Sequence, residues 1–390
     1  MKGKKAESAT GAFGMHDGES GMHDIGVIGL GAMGLASAWA GVRAGAAVIA
    51  FDAFGPGHTH GSSHGETRMI RRIYSEGRVY MPLLEQSYAL WSKLEAESGE
   101  RLFHQTGGLD IAPDGHALLN ESRACADTYS RPHIFMDSRT ANDCWPALDL
   151  PENCGVIKSP ESGVLMSDAA NAALARLARA GGARLNWNTP VSSVQPDGDG
   201  FMIITPEGKF PVRRVINAAG PWADEFSPGL DEVIRTERQV IGYFDGPPGD
   251  VPPFQRVLDD GRRLYLLPAG TPGRWKFGLY HHRQQAGPEF RGASEVDAED
   301  RRLLTACLNT VLPGCPPPDR FEVCRFTNTA DTRFILDRDP EQAGMVILAA
   351  CSGHGYKFAP ATGEAAVALA LDAPLPVDLT AFTLARQLRR

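Results

Sequence analysis

The sequence of 390 residues has few of the features that mark disulfide-stapled, membrane-spanning or nucleic-acid-binding proteins. Its seven cysteines form an odd, scattered set without a CxxC pair, which favours reduced thiols over a disulfide framework or a zinc cluster. No stretch approaches the roughly 20 uninterrupted apolar residues of a membrane-spanning helix. With 39 Lys and Arg against 47 Asp and Glu, the net charge of −8 offers no basic surface for nucleic acid. We therefore expect a cytoplasmic protein without metal, membrane or nucleic-acid partners.

The first 23 residues lack the apolar core of a secretory signal peptide. They begin with lysines and continue with glycine, serine and acidic residues, where a signal peptide carries its apolar segment. The tetrapeptide GMHD occurs twice, at 14–17 and 21–24, but a metal-binding arm built on His16 and His23 would lack further ligands. We expect residues 1–23 to form a disordered leader.

The remaining composition is that of a globular protein with more than one domain. Hydrophobic residues make up 43% and charged residues 22% of the chain, and 43 Gly and 28 Pro indicate many loops. Because the length exceeds the roughly 150 residues of a typical domain, we expect two domains.

A βαβ unit with the spacing of a dinucleotide-binding site opens the ordered sequence. A short apolar run precedes Gly29, Gly31 and Gly34, a small-residue helix follows, and a second apolar run ends at Asp52. The first two glycines permit a tight turn and a close approach to a pyrophosphate, and the third allows close helix–strand packing. The helix N-terminus adds partial positive charge, and Asp52 is placed to accept a hydrogen bond from a ribose hydroxyl.

The chain does not continue as repeated βα segments. A loop rich in Gly, His, Ser and Arg spans 55–72, and a strand-like segment interrupted by Pro and Gly spans 235–280. The tail returns to a strand at 345–350, a glycine-rich turn and a helix. This order predicts an α/β fold in which a Rossmann-like nucleotide-binding domain is interrupted by an antiparallel-sheet, α+β domain.

Two cofactors fit the opening segment VIGLGAMG at 27–34. It would suit an NAD-dependent β-hydroxyacid dehydrogenase, but such an enzyme predicts a helical second half. Here the second half is rich in strand and glycine signals and closes with a buried strand and a glycine turn, which is typical of flavin enzymes of the D-amino acid oxidase superfamily.

Four further blocks make the resemblance specific: DAFGPGHTHGSSHGETRMIR at 52–71, AAGPW at 218–222, CRFT at 324–327 with FILD at 334–337, and SGHGYKF at 352–358. With these blocks, nearly the whole chain resembles the monomeric sarcosine oxidase and N-methyl-tryptophan oxidase group of that superfamily. The resemblance implies an FAD-binding domain at 24–103, 155–235 and 324–390, and a substrate domain at 104–154 and 236–323.

The resemblance implies FAD as the cofactor. The family attaches its flavin through a cysteine thioether, and Cys324 lies at the matching position, while Cys351 remains the alternative attachment point. The implied FAD-binding residues are Gly29, Gly31, Gly34, Asp52, Ser62, Thr67, Gly220, Cys324, Gly353, Gly355 and Lys357.

The resemblance also implies the catalytic residues. Lys276 matches a family lysine that lies near the flavin and promotes its reaction with dioxygen, although a lysine reaching solvent from an edge strand would look the same in sequence. His64 and Arg68 match residues that pack against the flavin ring, where positive charge favours the anionic reduced form.

Arg71 and Lys357 match the pair that holds the substrate carboxylate in this family. An arginine offers a planar two-donor fork and a lysine a point charge, so the pair fixes the orientation of a carboxylate. Arg72 adjoins Arg71, but two neighbours on a strand point in opposite directions, and we assign the role to Arg71. Tyr265 matches a pocket tyrosine.

Some positions depart from the family pattern. Ser63 replaces the first of two paired histidines, Glu66 replaces Asp, and Phe326 replaces a tyrosine after the covalent cysteine. The family's pocket histidine falls at Tyr280, or at His281 with a one-residue shift. The carboxylate grip is kept while the side-chain pocket has changed, so sarcosine itself is not implied as the substrate.

We therefore expect an FAD-dependent oxidase of secondary, N-methylated α-amino acids that produces an amine, an aldehyde or keto acid, and hydrogen peroxide. Its expected partners are a small amino acid and dioxygen, and its expected state is a monomer or small homo-oligomer. The alternatives are an NAD-dependent dehydrogenase and a flavin-bearing subunit without turnover.

Overall fold

The computed structural model describes residues 21–349 and 352–388. The strands are β1 (His23–Ile28), β2 (Val48–Phe51), β3 (Arg68–Ile70), β4 (Phe103–His104), β5 (Gly108–Pro113), β6 (Ile134–Asp137), β7 (Cys154–Ser159), β8 (Gly163–Leu165), β9 (Arg184–Asn186), β10 (Ser193–Asp197), β11 (Gly200–Thr205), β12 (Gly208–Asn217), β13 (Arg235–Asp245), β14 (Phe254–Val257), β15 (Arg263–Pro268), β16 (Arg274–Leu279), β17 (Arg320–Asn328), β18 (Ile335–Arg338) and β19 (Met345–Ala349). The α-helices are α1 (Ala32–Arg43), α2 (Met81–Ser98), α3 (Ala117–Thr128), α4 (Ser138–Cys144), α5 (Ser167–Ala180), α6 (Ala298–Val311), α7 (Ala359–Ala370) and α8 (Ala385–Leu388).

Sheet 1 is built around the predicted βαβ unit. Its strand order is β10-β11-β12-β1-β2-β9, and β19 pairs with β12 and with β18. β1 runs parallel to both of its neighbours, so that Val27 lies opposite Ala50 on β2 and Ile216 on β12. β10 and β11 form an antiparallel hairpin. Helices α1, α2, α5 and α7 cover the sheet and share its main hydrophobic core.

Sheet 2 has the order β17-β13-β16-β15-β14-β5-β7-β6. Its strands pair antiparallel except for β14 and β5, which run parallel. A second hydrophobic core lies between this sheet and α6. The predicted α/β class with an added antiparallel sheet is confirmed, and the helical second half that an NAD-dependent dehydrogenase predicts is not present in the described residues.

The strands of sheet 2 come from two stretches of the chain, 108–159 and 235–328. These stretches extend a few residues past the limits predicted for the substrate domain, and the division into domains stays a prediction. The predicted leader lies outside the described residues up to residue 20, and His23 already belongs to β1. Among the described residues, no helix is long and apolar enough to cross a membrane.

Glycines set the distance between α1 and its neighbours. A Cβ at Gly34 would clash with the carbonyl oxygen of Gly29, so the third glycine of the motif packs the helix onto the turn as predicted. On the other side, a Cβ at Gly363 of α7 would lie 2.7 Å from the backbone nitrogen of Ser37 and 2.9 Å from Cβ of Ala36. Both contacts are too close for any residue with a side chain.

We expect Gly363→Ala to destabilise the protein by about 1 to 3 kcal/mol, because the added methyl forces α1 and α7 apart. Alanine has a higher intrinsic helix propensity than glycine. A loss of stability in Gly363→Ala would therefore show that the close packing outweighs this propensity. The matched control is Gly292→Ala, where nothing lies within 4 Å of the new methyl. Urea unfolding of both variants measures the difference, and equal midpoints would contradict the close packing of the two helices.

Candidate active site

One cavity of about 740 Å³ runs from the glycine turn after β1 to the ends of the strands of sheet 2. It has the size of a cofactor-binding pocket. All but one of the residues that the sequence predicts for the site line it: Gly29, Gly31, Asp52, Ser62, His64, Thr67, Arg68, Arg71, Gly220, Tyr265, Lys276, Cys324, Gly353, Gly355 and Lys357. The exception is Gly34, which lies behind the turn against Gly29.

The glycine turn is fastened by Asp52 at the end of β2. One carboxylate oxygen accepts from the amide of Leu30 at 2.7 Å and the other from the amide of Phe54 at 2.9 Å. Gly29 has a φ of +90°, and its Cβ would lie 2.5 Å from the carbonyl oxygen of Ala218. The turn therefore needs glycine, and Asp52 positions the turn as well as facing the cavity.

The N-terminus of α1 opens onto the cavity. The N-cap residue is Gly31, and no acidic residue lies in the first turn, so the partial positive charge of the helix is not neutralised locally. Ser63 accepts a hydrogen bond from the amide of Ala32 at 2.9 Å. Ser63, which replaces the family histidine at this position, therefore supplies a capping hydroxyl from a distant loop.

The loop between β2 and β3 is held by Arg68. Its guanidinium donates to the carbonyl oxygens of Ser62 at 2.8 Å, His64 at 2.6 Å and Thr67 at 2.8 Å. The hydroxyl of Thr67 donates to Pro268 at the end of β15, at 2.7 Å. Arg68 therefore shapes the loop, and Thr67 joins it to sheet 2.

Lys276 lies in the interior of sheet 2. Its strand, β16, pairs with β13 and β15, and the side chain is 1% exposed, so it does not reach solvent from an edge strand. Its ammonium donates to the carbonyl oxygens of Gly65 and, at 2.6 Å, of Thr67. Burial, followed by the charge of Arg68, holds its pKa well below the ordinary value.

Cys324 faces the cavity from β17 and is 5% exposed. Burial works to raise the pKa of this thiol, but the adjacent His64 and Arg68 lower it to about 7. The alternative cysteine, Cys351, lies outside the described residues. Within 21–349 and 352–388, no group of His, Cys, Asp and Glu side chains forms a metal site.

Arg71 is held between two carboxylates. Nη2 lies 2.5 Å from Oε1 of Glu76, and Nη1 lies 3.5 Å from Oδ1 of Asp110. Asp110 also accepts from Gln255 at 2.5 Å and from Ser122 at 2.6 Å. The carboxylate of Glu76 keeps a well lowered pKa beside Arg71, although burial alone would raise it.

The sequence analysis missed both acids. Asp110 has a weak signal in sequence, because it is an acidic residue inside the apolar strand GLDIAP. Glu76 has none beyond its nearness to Arg71. Arg72 instead pairs with Glu85 at 2.6 Å, outside the cavity lining. Arg71 and Arg72 have different partners, as expected. The reason given for this was wrong, because β3 ends at Ile70 and the two arginines therefore do not alternate along a strand.

Lys357 follows the glycine turn at 353–355 and is 5% exposed. Its ammonium donates to the carbonyl oxygen of His354 at 2.7 Å. Burial, followed by the charge of Arg71, lowers its pKa to about 7. Lys357 and Arg71 lie 5.1 and 5.3 Å from the ring of Tyr74, so the two cations share one neighbour.

Aromatic rings form the opposite wall. Tyr265 and Tyr280 meet edge-to-face with ring centres 5.5 Å apart, and Phe326 follows at 6.1 Å from Tyr280. Tyr280 lines the cavity, whereas His281 points away and pairs with Glu237 at 2.8 Å. Of the two residues, Tyr280 therefore faces the cavity, and its match to the family's pocket histidine stays a prediction.

His354 is a buried neutral imidazole. Nε2 lies 3.1 Å from the carbonyl oxygen of Thr332, which can only accept, so Nε2 carries the proton. Nδ1 then accepts from the hydroxyl of Tyr74 at 2.6 Å. Burial lowers its pKa to about 3, and the charge of Lys357 adds to this effect, while Glu76 opposes it.

Comparisons with known proteins identify the family of the chain. The family model of the DAO FAD-dependent oxidoreductases matches residues 24–369. The N-methyl-L-tryptophan oxidases of Yersinia pestis (strain Pestoides F) and Yersinia pseudotuberculosis serotype O:1b (strain IP 31758) are each 32% identical over 371 residues, covering 93% of this chain and 99% of the relative.

Two solved structures share the fold. NikD, an unusual amino acid oxidase essential for nikkomycin biosynthesis, is 21% identical with a TM-score of 0.82, covering 93% of this chain and 98% of its own. L-proline dehydrogenase from P. horikoshii is 21% identical with a TM-score of 0.83, covering 94% and 98%.

We expect His354 to make the protein less stable as the pH falls below about 6.5. The folded state keeps the imidazole neutral down to about pH 3, while the unfolded chain gains a proton near the ordinary histidine pKa of 6.5. The stabilisation present above this pH is lost progressively on acidification, by up to about 1.4 kcal/mol per pH unit. Urea unfolding at about pH 7 and pH 5 should show His354→Gln reducing the difference by up to about 2 kcal/mol. An equal difference in both proteins would contradict the neutral assignment.

Proposed function

Because the chain belongs to the DAO family of FAD-dependent oxidoreductases, we propose that it oxidises secondary, N-methylated α-amino acids in this cavity. The observation that carries the proposal is the buried pair of cations, Arg71 and Lys357, around Tyr74. Buried like charges repel each other, and an anion bound to both removes that repulsion. A carboxylate matches the planar fork of the arginine and the point charge of the lysine.

The charges around Arg71 fit a ligand with one carboxylate. Arg71 and Arg263 are balanced by Glu76 and Asp110, since Arg263 also pairs with Glu76 at 2.9 Å. Beside this group lies Lys357, whose ammonium donates to the carbonyl oxygen of His354 and forms no ion pair with a carboxylate of the described residues. Because Glu76 already occupies Nη2 of Arg71, a substrate carboxylate competes with Glu76 for the same guanidinium.

The cavity fits FAD by the character of its walls. The uncompensated N-terminus of α1 suits a pyrophosphate, and the glycine turn offers a close backbone approach. Both ring nitrogens of the buried His64 lack a hydrogen-bond partner in the part of the chain that the structure describes. The residues that would hold the cofactor are Gly29, Gly31, Asp52, Ser62, Thr67, Gly220, Gly353 and Gly355. When bound, FAD supplies the two-electron acceptor that amine oxidation needs.

The chain's own residues position the substrate for this chemistry. Arg71 and Lys357 hold the carboxylate, while Tyr265, Tyr280 and Phe326 exclude water and contact the side chain. A neutral amine that loses the equivalent of a hydride becomes an iminium ion, so no base is required to remove a proton from carbon. Water hydrolyses the iminium ion to an amine and an aldehyde or keto acid with release of a proton, and dioxygen accepts two electrons and two protons and becomes hydrogen peroxide.

Lys276 is the residue that we assign to dioxygen. The carbonyl oxygens of Gly65 and Thr67 fix its ammonium at the cavity wall. Burial makes the charged form of Lys276 costly, and negative charge developing on dioxygen offsets this cost. His64 and Arg68 line the same region. The cytoplasmic location and the monomeric or small homo-oligomeric state are part of this proposal.

The proposal is tested by anaerobic titration of the purified protein with sarcosine and N-methyl-L-tryptophan. We expect at least one N-methylated α-amino acid to bleach the visible flavin absorbance, and oxygenated buffer to restore it with release of hydrogen peroxide. Lys357→Met should weaken binding of acetate about 10- to 150-fold below pH ~7, through loss of one charge-assisted contact of about 1.5 to 3 kcal/mol. In the parent protein, acetate affinity should fall as the pH rises through about 7, where Lys357 loses its charge.

The matched control is Arg72→Ala, which removes a neighbouring arginine whose partners are Glu85 and the ring of Tyr88. Acetate affinity should be unchanged in this control. Failure of every N-methylated amino acid to bleach the flavin would support a subunit without turnover, and unchanged acetate affinity in Lys357→Met would show that the anchor is wrongly assigned.

We propose that the flavin is attached covalently to Cys324, because its thiol lies in the cavity wall and its pKa is lowered to about 7. A thiolate is the nucleophile that such a bond needs. Acid-precipitated protein should remain yellow, and the flavin-bearing peptide should contain Cys324. Cys324→Ser should release all colour into the supernatant. A flavin peptide containing Cys351 would move the attachment point to that residue, and colourless precipitate from the parent protein would exclude a covalent bond.

A further inference from the structure

His64 is a buried imidazole between a thiol and a carboxylate. It is 6% exposed, and within the described residues neither ring nitrogen has a hydrogen-bond partner. Nδ1 lies 3.7 Å from Oε2 of Glu322, and the nearby thiol of Cys324 raises the pKa of the imidazole, while that thiol donates its hydrogen bond to the carbonyl oxygen of Arg325 at 3.9 Å. A buried base without hydrogen bonds is costly unless a neighbour gives it a proton or accepts one.

The strand β17 brings the acid and the thiol to the same imidazole. Glu322 and Cys324 are two positions apart and therefore lie on one face of the strand, while Val323 between them faces the other side. Their register is fixed by β13, where Ile241 lies opposite Glu322 and Gln239 lies opposite Cys324. Glu322 is thus held at a fixed distance from the thiol by the backbone.

Two further residues orient the carboxylate. The hydroxyl of Tyr243 donates to Oε2 of Glu322 at 2.9 Å, and Nε of Arg320 lies 3.7 Å from Oε1. The guanidinium of Arg320 also lies 3.6 Å from the centre of the Tyr243 ring. The side chain of Glu322 is 28% exposed, so it connects a buried imidazole to solvent.

We propose that Glu322 is a positioning residue that acts through His64, so that the Cys324 thiol gives its proton to the imidazole. The S–H bond of Cys324 breaks and an N–H bond forms on His64; no electrons are transferred and no group leaves. This inference deepens the role proposed above for Cys324 and rests on that role for its purpose. In this proposal, the carboxylate of Glu322, two residues before the attachment cysteine, favours deprotonation of that cysteine.

The direction of each pKa agrees with this arrangement. Burial works to lower the pKa of His64, but Cys324 and Glu322 raise it to about 9. The carboxyl pKa of Glu322 is lowered, chiefly by His64. Besides one another, the charged and titratable groups near the three residues are His60, Arg68, Tyr243, Tyr265, Lys276, Arg320 and Arg325, with Glu66 on the far side of Arg320.

The direction in which the pKa of the Cys324 thiol changes distinguishes an action of Glu322 through His64 from a direct electrostatic action of Glu322 on the thiol. A carboxylate that acts directly on a nearby thiolate disfavours it and raises the thiol pKa. A carboxylate that acts through His64 stabilises the imidazolium and thereby favours the thiolate. Removing the charge of Glu322 should therefore slow thiolate chemistry when His64 is present, and leave it unchanged or faster when His64 is absent.

The test uses the full-length chain prepared without flavin. The rate at which iodoacetamide alkylates Cys324 is followed between about pH 5 and pH 9 by peptide mass spectrometry. We expect Glu322→Gln to move the midpoint upward and to slow alkylation at pH 7 by about 2- to 5-fold, which corresponds to a rise of about 0.5 to 1 in a thiol pKa of about 7. In the His64→Asn background the same substitution should not slow alkylation.

Glu66→Gln is the matched control, because it removes another carboxylate bound to Arg320 without contacting His64. Its alkylation profile should equal that of the parent. If Glu322→Gln does not fold, Tyr243→Phe removes the hydroxyl that orients the carboxylate and should give a smaller shift in the same direction.

The proposal would be overturned if Glu322→Gln slowed alkylation to the same extent with and without His64. It would also be overturned if the substitution slowed alkylation in neither background. The outcome is independent of flavin attachment. The four alkylation profiles are those of the parent, Glu322→Gln, His64→Asn and the double variant. If they behave as expected but the parent protein carries no covalent flavin, the action of Glu322 through His64 is supported and only the proposed flavin attachment is excluded.

Discussion

The burial of positive charge in the wall of one cavity is the constraint on which the site depends. Arg71, Lys276 and Lys357 are each at most 5% exposed, and a buried charge is tolerated only with partners that satisfy it. Backbone carbonyl groups hold the two lysines, and carboxylates hold the arginine. Those partners come from β5 of sheet 2 and from the loops that follow β2, β3 and β19, so the same contacts that stabilise the charges also hold these loops against sheet 2.

The glycine motif and the family blocks could be read from the sequence because each is local. The spacing of Gly29, Gly31 and Gly34 is enough to identify the motif. The structure places Gly34 in the packing role that this spacing predicts. Helix α1 starts at Ala32, inside the glycine motif. The apolar pattern alone does not show that Gly31 is the N-cap, or that Ser63 from another loop caps the helix.

The acidic partners could not be predicted because they meet their cations only in the folded chain. Asp110 contacts Arg71 from 39 positions away, and Glu322 approaches His64 across most of the sequence. Sequence periodicity assigns a residue to a face of a strand, but it does not say which of many carboxylates faces a given cation. The choice between Tyr280 and His281 was open for the same reason, and the path of the backbone after β16 decides it.

The close contacts around α1 also separate the parts of the protein that evolution or design can change from those it cannot. The nucleotide end is built from backbone approaches at Gly29, Gly34 and Gly363 that leave no volume for a larger residue. The aromatic wall, in contrast, consists of side chains on sheet 2 and in the turn after β16, with ring centres 5.5 to 6.1 Å apart. Tyr280 makes none of the closest contacts at these glycines, which makes it a natural library position for changing the shape of the cavity.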